Sequence, residues 1–447
     1  HPYIRRKLGK EPVTYLHPAL EPVLRRTLGV PLFQEQLMQI AMAVGGCTGD
    51  DADLLRRAMG SKRGVEKISA LREKLYAGMA AHGITGDVAD EIYAKIEAFA
   101  NFGFAESHSI SFALLVYVST WLRLHYPAAF LAALLRAQPM GFYSPQTLVA
   151  DARRHGVDVR RPDVALSGVH AVLEGVDGPV PPGDAACLDR RQPPVGDFDR
   201  AVPFDAGLHR RDGGFAVRLG LSEVTSIGEH LATRIVDERE RGGPYADLAD
   251  LVRRVTLTAA QVEALATADA FDSFGLSRRQ ALWEAGRAAQ EHSDQLAGVT
   301  SVGALPALPG ITPPEQTMAD LWATGISPTS HPIEHIRVEL QARGVLSAAA
   351  LTNAEPGRRV RVGGVVTHRQ RPATASGITF LNLEDETGMV NVVCSPGLWG
   401  RYRRIARDSS ALVVRGRVEH SEGVTNLVAD GLERLPVAAR STSRDFR

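Results

Sequence analysis

The stretch RVRVGGVVTHRQRPATASGITFLNLEDETGMVNVVCS, residues 359–395, decides the fold of the C-terminal part of this chain. Its apolar and polar residues alternate, and the alternation is interrupted at TASG and at the ETG turn. Alternation with a period of two residues, broken by glycine-containing turns, is typical of half-buried β-strands. ALVVRGRVEH and VTNLVADGLERL continue the alternation to residue 435, so this whole region is predicted to form a sheet.

The pattern predicts five strands, with a helix, LWGRYRRIARD, between the third and the fourth. This is the layout of an OB-fold, a five-stranded Greek-key barrel that binds oligonucleotides and oligosaccharides. We expect the barrel to occupy residues 357–436.

Before the barrel, apolar residues recur at helical spacing instead, as Phe33, Leu37, Ile40 and Val44 do in PLFQEQLMQIAMAVGG. Segments rich in proline and glycine without periodicity are predicted to be loops. The expected fold class is therefore a multidomain, mainly α-helical chain followed by a β-barrel. The predicted divisions are helical 1–173, loop 174–214, helical 215–296, linker 297–316, connecting helices 317–356, barrel 357–436 and tail 437–447.

The composition excludes little by itself. The 447 residues carry 51 Lys+Arg and 51 Asp+Glu, so no net charge attracts a polyanion, although basic residues can still cluster locally. Cys47, Cys187 and Cys394 have no metal-ligand spacing and suit a reducing compartment. The apolar run from Ile110 to Leu122 is too short to span a bilayer, so we expect it to be a buried core helix.

The start of the chain has no recognisable secretory signal, so we expect a cytoplasmic protein without membrane attachment. The sequence begins at His1, in the middle of a pattern that looks structured. We therefore expect it to be a piece of a longer protein.

In the segment FANFGFAESHSISFALLVYVSTWLRLHYP, residues 99–127, a small polar group precedes a very apolar helix. Ser107 or Ser109 can cap this helix, so that its free amides bind an anion and His108 adds a proton donor. An ordinary helix cap beside a surface histidine explains the same residues.

The segment LRRAMGSKRG, residues 55–64, places Arg56, Arg57 and Lys62 around a glycine. Arginine pairs bidentately with phosphate oxygens, and lysine adds a point charge. A solvated basic helix end is an equally good interpretation, because cations are favourable at helix C-termini.

The segment VRLGLSEVTSIGEHLATRIVDERERGGPYADLADLVRR, residues 217–254, resembles a helix-hairpin-helix unit. Such a unit uses a glycine turn to direct backbone amides at a DNA phosphate, independently of sequence. The usual turn has two glycines around one apolar residue, whereas here Ser226 stands first and Gly228 last. The hairpin either binds phosphate through this turn or only packs.

In the predicted barrel, Phe380 and Asn382 project to the same side of the second strand. An aromatic side chain among arginines suits base stacking and neutralisation of a nucleic-acid backbone. Burial of Phe380 in the barrel core is the alternative. The arginines expected to contact DNA are Arg369, Arg371, Arg403, Arg415 and Arg417.

No catalytic or metal-binding constellation is recognisable in the sequence. Two-metal phosphoryl chemistry needs converging carboxylates, and no buried strand carries an Asp-x-Asp pair. Glu384, Asp385 and Glu386 lie at a strand end, where we expect a hydrogen-bonded cap rather than a metal site. The sequence also lacks a Walker A loop, G-x-S-x-G and His-Glu-x-x-His.

Together, YLHPALEPVLRRTLGVPLFQEQLMQIA, LLRRAMGSKR, FANFGFAESHSISFALLVYVSTWL, the hairpin and the barrel resemble the C-terminal half of the bacterial DNA polymerase III alpha subunit, the C family. The form of FANFGFAESHS is closer to the error-prone, damage-inducible branch. The resemblance implies that the first helical region is the fingers, in which Arg56, Arg57, Lys62, Ser107 and His108 face the triphosphate of the incoming dNTP.

The resemblance also implies what lies elsewhere. The catalytic aspartates and their Mg²⁺ would belong to a palm upstream of His1, so this piece alone is expected to be inactive. Primer–template DNA is the implied partner. Clamp-binding candidates are only Gln295-Leu296-Ala297-Gly298 and LPALPG, which indicates indirect clamp recruitment through an inactive Y-family-like protein and a recombinase-like protein.

Two other classes of function remain open. One is a non-catalytic single-stranded nucleic-acid-binding protein, since LNLEDETGMVNVV also resembles the anticodon-binding barrel of class II aminoacyl-tRNA synthetases. It predicts a preference for RNA but leaves the first 140 or so residues unexplained. The other is a purely structural scaffold.

Overall fold

The computed structural model describes residues 1–58, 64–98, 104–141, 143–178, 206–290, 308–372, 375–421, 423–437 and 444–446. The chain divides into two compact units, His1–Trp121 and Leu122–Arg447. Each unit has hydrophobic core clusters of its own.

The first unit is helical. Leu37, Leu55 and Leu75 are completely buried in its core. Gly45 follows the third helix and contacts Gly78 of the sixth helix. A Cβ added to Gly78 would lie 2.2 Å from the Gly45 carbonyl, so this backbone contact requires glycine. The helices are α1 (Pro2–Lys7), α2 (Glu21–Leu24), α3 (Gln34–Ala43), α4 (Gly49–Ala58), α5 (Gly64–Ser69), α6 (Arg72–Ala81), α7 (Asp87–Ala98) and α8 (Glu106–His125).

The apolar helix α8 is exposed, and the prediction that it is a buried core helix is wrong. Ile110, Leu114 and Tyr117 expose 65%, 65% and 79% of their surface. The composition of a segment shows how apolar it is, but the surface that covers it has to be supplied by other parts of a fold. Contiguous exposed apolar surface of this kind is uncommon on soluble proteins.

The second unit begins with helices around a small sheet. Its strands β1 (Val159–Arg160), β2 (Val172–Gly175) and β3 (Phe215–Arg218) have the order β1-β3-β2. Serine and threonine caps start several helices, as Thr258 does in a capping box. The helices are α9 (Pro127–Arg136), α10 (Pro145–Arg154), α11 (Gly228–Gly242), α12 (Leu248–Val255), α13 (Ala259–Thr267), α14 (Arg278–Ala288), α15 (Pro313–Thr324), α16 (Arg337–Ala342) and α17 (Ala348–Thr352).

The C-terminal region is a closed barrel, which confirms the OB-fold prediction. Within the described residues its strands are β5 (Arg359–Gln370), β6 (Thr379–Asp385), β7 (Gly388–Cys394), β8 (Ala411–Ser421) and β9 (Val424–Arg434). They pair in the order β5-β6-β7-β9-β8, and β5 also pairs with β8, which closes the barrel. Two short strands, β4 (Val345–Leu346) and β10 (Arg444–Phe446), pair with β5.

The helix predicted between the third and fourth barrel strands is divided. It forms α18 (Pro396–Arg401) and α19 (Arg403–Asp408), separated at Tyr402. Ser395 caps α18 by accepting a hydrogen bond from the Leu398 amide at 3.2 Å. The predicted linker also ends earlier than expected, because α15 begins at Pro313.

Candidate nucleic-acid interface

Phe380 and Asn382 lie on the outer face of β6. Leu381 and Leu383, which alternate with them, are 0% and 1% exposed and belong to the barrel core. Because neighbouring residues of a strand point to opposite faces, the half-buried Phe380 faces outward. The alternative that Phe380 is a core residue is therefore wrong.

Strand pairing extends this face over four strands. Asn382 is paired with His368 on β5 and with Asn391 on β7, and Asn391 is paired with Asn426 on β9. The side-chain amide of Asn382 donates to Oδ1 of Asn391 at 2.9 Å. We call His368, Asn382, Asn391 and Asn426 the amide row.

A second line of side chains runs beside the amide row. Phe380 is paired with Gln370 and Val393, and Val393 is paired in turn with Val428, which is paired with Arg417. We call Gln370, Phe380, Val393, Val428 and Arg417 the aromatic row. The outer face thus combines a stacking surface, hydrogen-bonding amides and a cation, and aromatic rings and cations are the groups that commonly bind single-stranded nucleic acid.

Sequence reasoning missed most of the amide row. The short turn at Glu386-Thr387 places Asp385 opposite Gly388, and counting outward from it pairs Asn382 with Asn391. That partner could have been found from the sequence. His368 and Asn426 could not, because they reach the face through pairings with distant strands.

The predicted DNA-binding arginines differ in their surroundings. Arg371 and Arg403 are exposed and have no carboxylate partner among the described residues. Arg415 pairs with Asp430 at 2.6 Å, and Arg417 pairs with Glu419 at 3.2 Å. Phosphate contacts by Arg415 and Arg417 would have to replace these ion pairs, whereas those of Arg371 and Arg403 would not.

The prediction that Arg369 contacts DNA is wrong, because its side chain has a structural role. It is 8% exposed, and its guanidinium donates to the carbonyls of Ala406 at 2.8 Å and Ser409 at 2.6 Å. The pairing of β5 with β6 shifts register between Val366 and His368. This irregularity turns Arg369 inward, so the guanidinium ties β5 to the end of α19 and is not available to DNA.

The hairpin turn forms although its first glycine is replaced. Ser226 has φ +69° and Gly228 has φ +58°, so the serine adopts the left-handed conformation that glycine favours. Ile227 between them is 3% exposed and anchors the turn in the core. Thr225 fixes the turn to α15, since its amide donates to the Ala323 carbonyl at 2.7 Å.

The turn leaves the start of α11 open. Its N-cap is Ile227, and no side chain caps the helix. Ser226 and Gly228 are exposed beside it. The first turn of a helix has unpaired amides and a partial positive charge, and phosphate binding at this turn stays a prediction.

The arginines predicted to bind the triphosphate are satisfied within α4. Arg56 and Arg57 are exposed and both pair with Asp53, at 2.8 and 2.6 Å. These two ion pairs lower the pKa of the Asp53 carboxyl, with the Arg56 hydrogen bond as the larger cause. Lys62 lies outside the described residues.

The start of α8 differs from the prediction that Ser107 or Ser109 caps it. The helix begins at Glu106, whose amide donates to both carboxylate oxygens of Glu35 at 3.0 Å. Ser109 instead donates to the carbonyl of Ala105 at 3.1 Å. The serine-cap prediction is wrong because a carboxylate from a distant part of the chain occupies the position.

His108 lies among aromatic rings. Its ring meets Phe112 edge-on with 4.4 Å between centroids, and Phe104 is 5.2 Å away. Among the contacts of the described residues, none joins His108 to Arg56 or Arg57. Their convergence on one triphosphate remains a prediction.

At the end of β6, Asp385 and Glu386 form a hydrogen-bonded cap, as expected. Asp385 accepts from the amides of Ala348 at 2.8 Å and Thr387 at 2.8 Å, and Arg337 pairs with both Asp385 and Glu386. Within the described ranges there is no group of three His, Cys, Asp or Glu side chains that could hold a metal ion. The residues described here therefore do not fit Mg²⁺.

None of the helices in the described parts of the chain combines the length and apolar character that a membrane crossing requires.

Comparisons with known proteins agree with this architecture. Residues 1–83 match the family model of the bacterial DNA polymerase III alpha subunit finger domain. Residues 156–281 match a helix-hairpin-helix motif, and residues 360–435 match an OB-fold nucleic acid binding domain.

Curated relatives match over the entire chain. An error-prone DNA polymerase of Cutibacterium acnes is 59% identical over 457 residues, which cover 100% of this chain and 40% of that protein. The enzyme of the same name from Nocardia farcinica is 56% identical over 456 residues, covering 100% and 37%. This chain is homologous to bacterial error-prone DNA polymerases. It spans about two fifths of their length, and the predicted resemblance to the error-prone branch is confirmed.

A solved structure, asparaginyl-tRNA synthetase from Pyrococcus horikoshii, is 22% identical and covers 22% of this chain and 24% of that chain, with a TM-score of 0.18. A likeness at this TM-score carries no argument about fold or function.

Proposed function

We propose that this chain is the DNA- and nucleotide-binding part of an error-prone DNA-directed DNA polymerase that acts in damage-induced translesion synthesis. The observation that carries the proposal is the outer face of the barrel, on which the aromatic and amide rows lie side by side. The similarity to error-prone DNA polymerases supports the polymerase assignment.

The barrel face suits a template of any sequence. Every base has a π-face, so stacking on Phe380 is tolerant of sequence and is worth roughly 1–3 kcal/mol per base. Arg371 and Arg403, which have no carboxylate partner among the described residues, supply backbone contacts. A polymerase that copies damaged templates requires this tolerance.

The hairpin supplies a second contact, to the phosphates of duplex DNA. The uncapped start of α11, with Ser226 and Gly228 exposed beside it, supports this role. Backbone amides carry no sequence information, so this contact positions the duplex without selecting a sequence.

The triphosphate contacts are part of the same proposal. Arg56, Arg57, Lys62, Ser107 and His108 would bind the incoming dNTP, with Arg56 and Arg57 leaving Asp53 to do so. The catalytic carboxylates and Mg²⁺ would belong to the longer polymerase. Primer extension by the purified 447-residue chain alone would contradict this division of roles.

The partners and location follow from the proposed role. We expect primer–template DNA as the direct partner in the cytoplasm. Contact with a sliding clamp would be indirect, through Y-family-like and recombinase-like accessory proteins. Tight binding of a purified clamp to this chain in a surface-capture assay would refute indirect recruitment.

The proposal is tested by measuring the affinity of the 447-residue chain for single-stranded DNA over a salt series. Phe380→Ala should weaken binding by about tenfold, because it removes the stacking surface. Trp283→Ala is the matched control, since Trp283 is an exposed aromatic residue on α14, at 65% exposure. An unchanged affinity for Phe380→Ala would exclude the barrel face as the binding surface.

The salt dependence tests the arginines separately. Arg371→Ala and Arg403→Ala should each reduce the slope of log affinity against log salt by about 0.7, the value for one phosphate contact on a single strand. Arg415→Ala should change the slope less, because Arg415 is paired with Asp430. Stronger binding of RNA than of DNA across the series would favour the non-catalytic RNA-binding alternative.

A further inference from the structure

Next to the barrel face lies a cavity of about 430 Å³ that no proposed role has used so far. Helices α9 and α10 form its walls, and Met389 of β7 closes one side. Its apolar lining includes Phe130, Leu134 and Leu148. A cavity of this volume is within the ordinary range for binding a small organic group.

The cavity opens beside the amide row. Tyr143 lines the cavity and is 48% exposed, and its ring meets His368 of the amide row edge-on, with 6.1 Å between centroids. Met389 follows on the same face of β7, two residues before Asn391. A single-stranded nucleic acid that lies across the amide row would therefore reach the cavity at this edge of the barrel.

Charged side chains line part of the cavity. Arg123 pairs with Asp151 at 2.7 Å, and Arg154 approaches the same carboxylate at 3.8 Å. Both arginines line the cavity together with His155. Asp151 and the buried Glu384, which lies 3.6 Å from Arg154, balance these two cations, so a phosphate beside the cavity would contact arginines that are already in ion pairs.

One wall of the cavity is polar. The hydroxyl of Thr147 lines the cavity and donates to Oε2 of Glu384 at 2.9 Å. Glu384 is 1% exposed, and its Oε1 has no hydrogen-bond partner, although Arg154 lies 3.6 Å away. The remaining wall is mostly apolar, so it offers few hydrogen bonds that would distinguish one ring from another.

We propose that this cavity binds one unstacked base of the single strand that the barrel face holds, with Tyr143 at its entrance. The inference rests on the proposed single-strand binding of the barrel. A base that is already single-stranded enters without the cost of unpairing. Because the wall is largely apolar, it accepts normal and modified bases alike.

An apolar protein segment is the competing occupant. The continuity of the cavity with the amide row, through the ring contact of Tyr143 with His368 and through Met389, favours a base. A peptide anchor would need the apolar wall but not this continuity.

The test is an abasic scan with the 447-residue chain. Each nucleotide of a short single-stranded DNA is replaced in turn by an abasic site, and affinity is measured for the unchanged protein and for variants. In the unchanged protein, one position next to those that depend on Phe380 should lose about tenfold in affinity when its base is absent.

Two variants remove the cavity in different ways. Leu134→Trp fills it, and Tyr143→Ala removes the aromatic ring at its entrance. In both, the abasic penalty at that one position should disappear while the Phe380-dependent positions keep theirs. Trp283→Ala should leave the whole scan unchanged, and Tyr143→Ala keeps the test valid if Leu134→Trp does not fold.

The outcomes separate this inference from the proposed function. The inference is overturned if abasic penalties depend on Phe380 but none of them disappears in both Leu134→Trp and Tyr143→Ala. The cavity is then left to an apolar protein segment. A scan that does not depend on Phe380 would overturn the proposed barrel function, and the inference with it.

Discussion

The two helix starts that sequence patterns associate with anion binding have opposite structures. At the start of α8, the carboxylate of Glu35 already accepts hydrogen bonds from the Glu106 amide at 3.0 Å. At the start of α11, the N-cap is Ile227 and no side chain caps the helix. The first had the richer sequence signal, Ser-His-Ser, yet only the second is open.

This difference shows that a helix end is free or occupied because of residues far away in the sequence. Glu35 precedes Glu106 by 71 residues. The open end of α11 is likewise maintained from a distance, because Thr225 is fixed by backbone groups of α15. Variants that disturb these distant supports test the comparison.

The largest effect should come from Asp320→Ala, which removes the anchor of α15. Asp320 is 2% exposed, and its carboxylate accepts from Arg278 at 2.5 Å and from Arg161 at 2.8 and 2.9 Å. Loss of this carboxylate leaves Arg161 and Arg278 with only the more distant Asp269, at 3.9 and 3.7 Å, at a cost of about 3–5 kcal/mol in the free energy of unfolding. Denaturant unfolding measures this.

Asp53→Ala is the matched control in the first unit, because Asp53 also holds two arginines but in an exposed pair. It should leave the free energy of unfolding unchanged within error. If Asp320→Ala and Asp53→Ala reduced the free energy of unfolding equally, burial of the Asp320 ion pairs would not be the cause of the loss.

Acid should weaken the second unit before the first. Burial lowers the pKa of His331 to about 4, from its ordinary value of 6.5. Between these values the unfolded chain binds more protons, so the free energy of unfolding should fall by about 3 kcal/mol as pH decreases from 7 to 4. Unfolding curves measured across this range test the slope.

His331→Asn should flatten this pH dependence, since asparagine does not titrate and its oxygen can accept from the Ile333 amide as the histidine does. In the first unit, hydrogen bonds from Lys74 and Thr48 lower the pKa of Asp51 to about 2. That contribution is present above about pH 4 and is lost only as pH falls towards 2. If both units unfolded at the same acidic pH, the expected difference between the effects of His331 and Asp51 would be contradicted.

Glu35→Ala should destabilise the first unit by about 1 kcal/mol, because the Glu106 amide loses its acceptor. Glu35→Gln is the control, since it keeps an acceptor but removes the charge. If the start of α8 binds triphosphate, Glu35→Gln should also tighten dNTP binding, measured by calorimetry. Weaker dNTP binding in that variant would argue against the site.

The smallest effect concerns the hairpin turn. Ser226→Gly should stabilise the second unit by about 0.5–1 kcal/mol, because Ser226 has φ +69°. Duplex DNA binding should be unchanged. Gly228→Ala is the opposite control: the new Cβ meets no atom within 4 Å, so only the strain at φ +58° should destabilise it. If Ser226→Gly and Gly228→Ala changed the free energy of unfolding in the same direction, backbone strain would not be the cause.

Much of the barrel could be predicted because a strand has a period of two residues. Alternation was enough to place Phe380 and Asn382 on the same side of β6, and the burial of Leu381 and Leu383 in the structure shows that this side faces outward. The same rule failed for Arg369, because the register shift between Val366 and His368 reverses the faces beyond it. A local pattern cannot reveal an irregularity that depends on the partner strand.

Helix α8 of the first unit shows a second limit of prediction from sequence. The sequence of α8 predicts a helix and its apolar character correctly, but not that Ile110 and Leu114 are exposed. Nor does it reveal the acceptor at the start of the helix. Both depend on which other surfaces are present around the helix.

The sequence by itself determined the family, the order of helical and barrel regions and the shared side of Phe380 and Asn382 on β6, because motifs and periodicity are local properties of the chain. Only the tertiary structure decided that Glu35 closes α8, that α11 is open, and that the amide row meets a cavity at Tyr143. These outcomes depend on contacts between residues far apart in sequence, which local patterns do not specify.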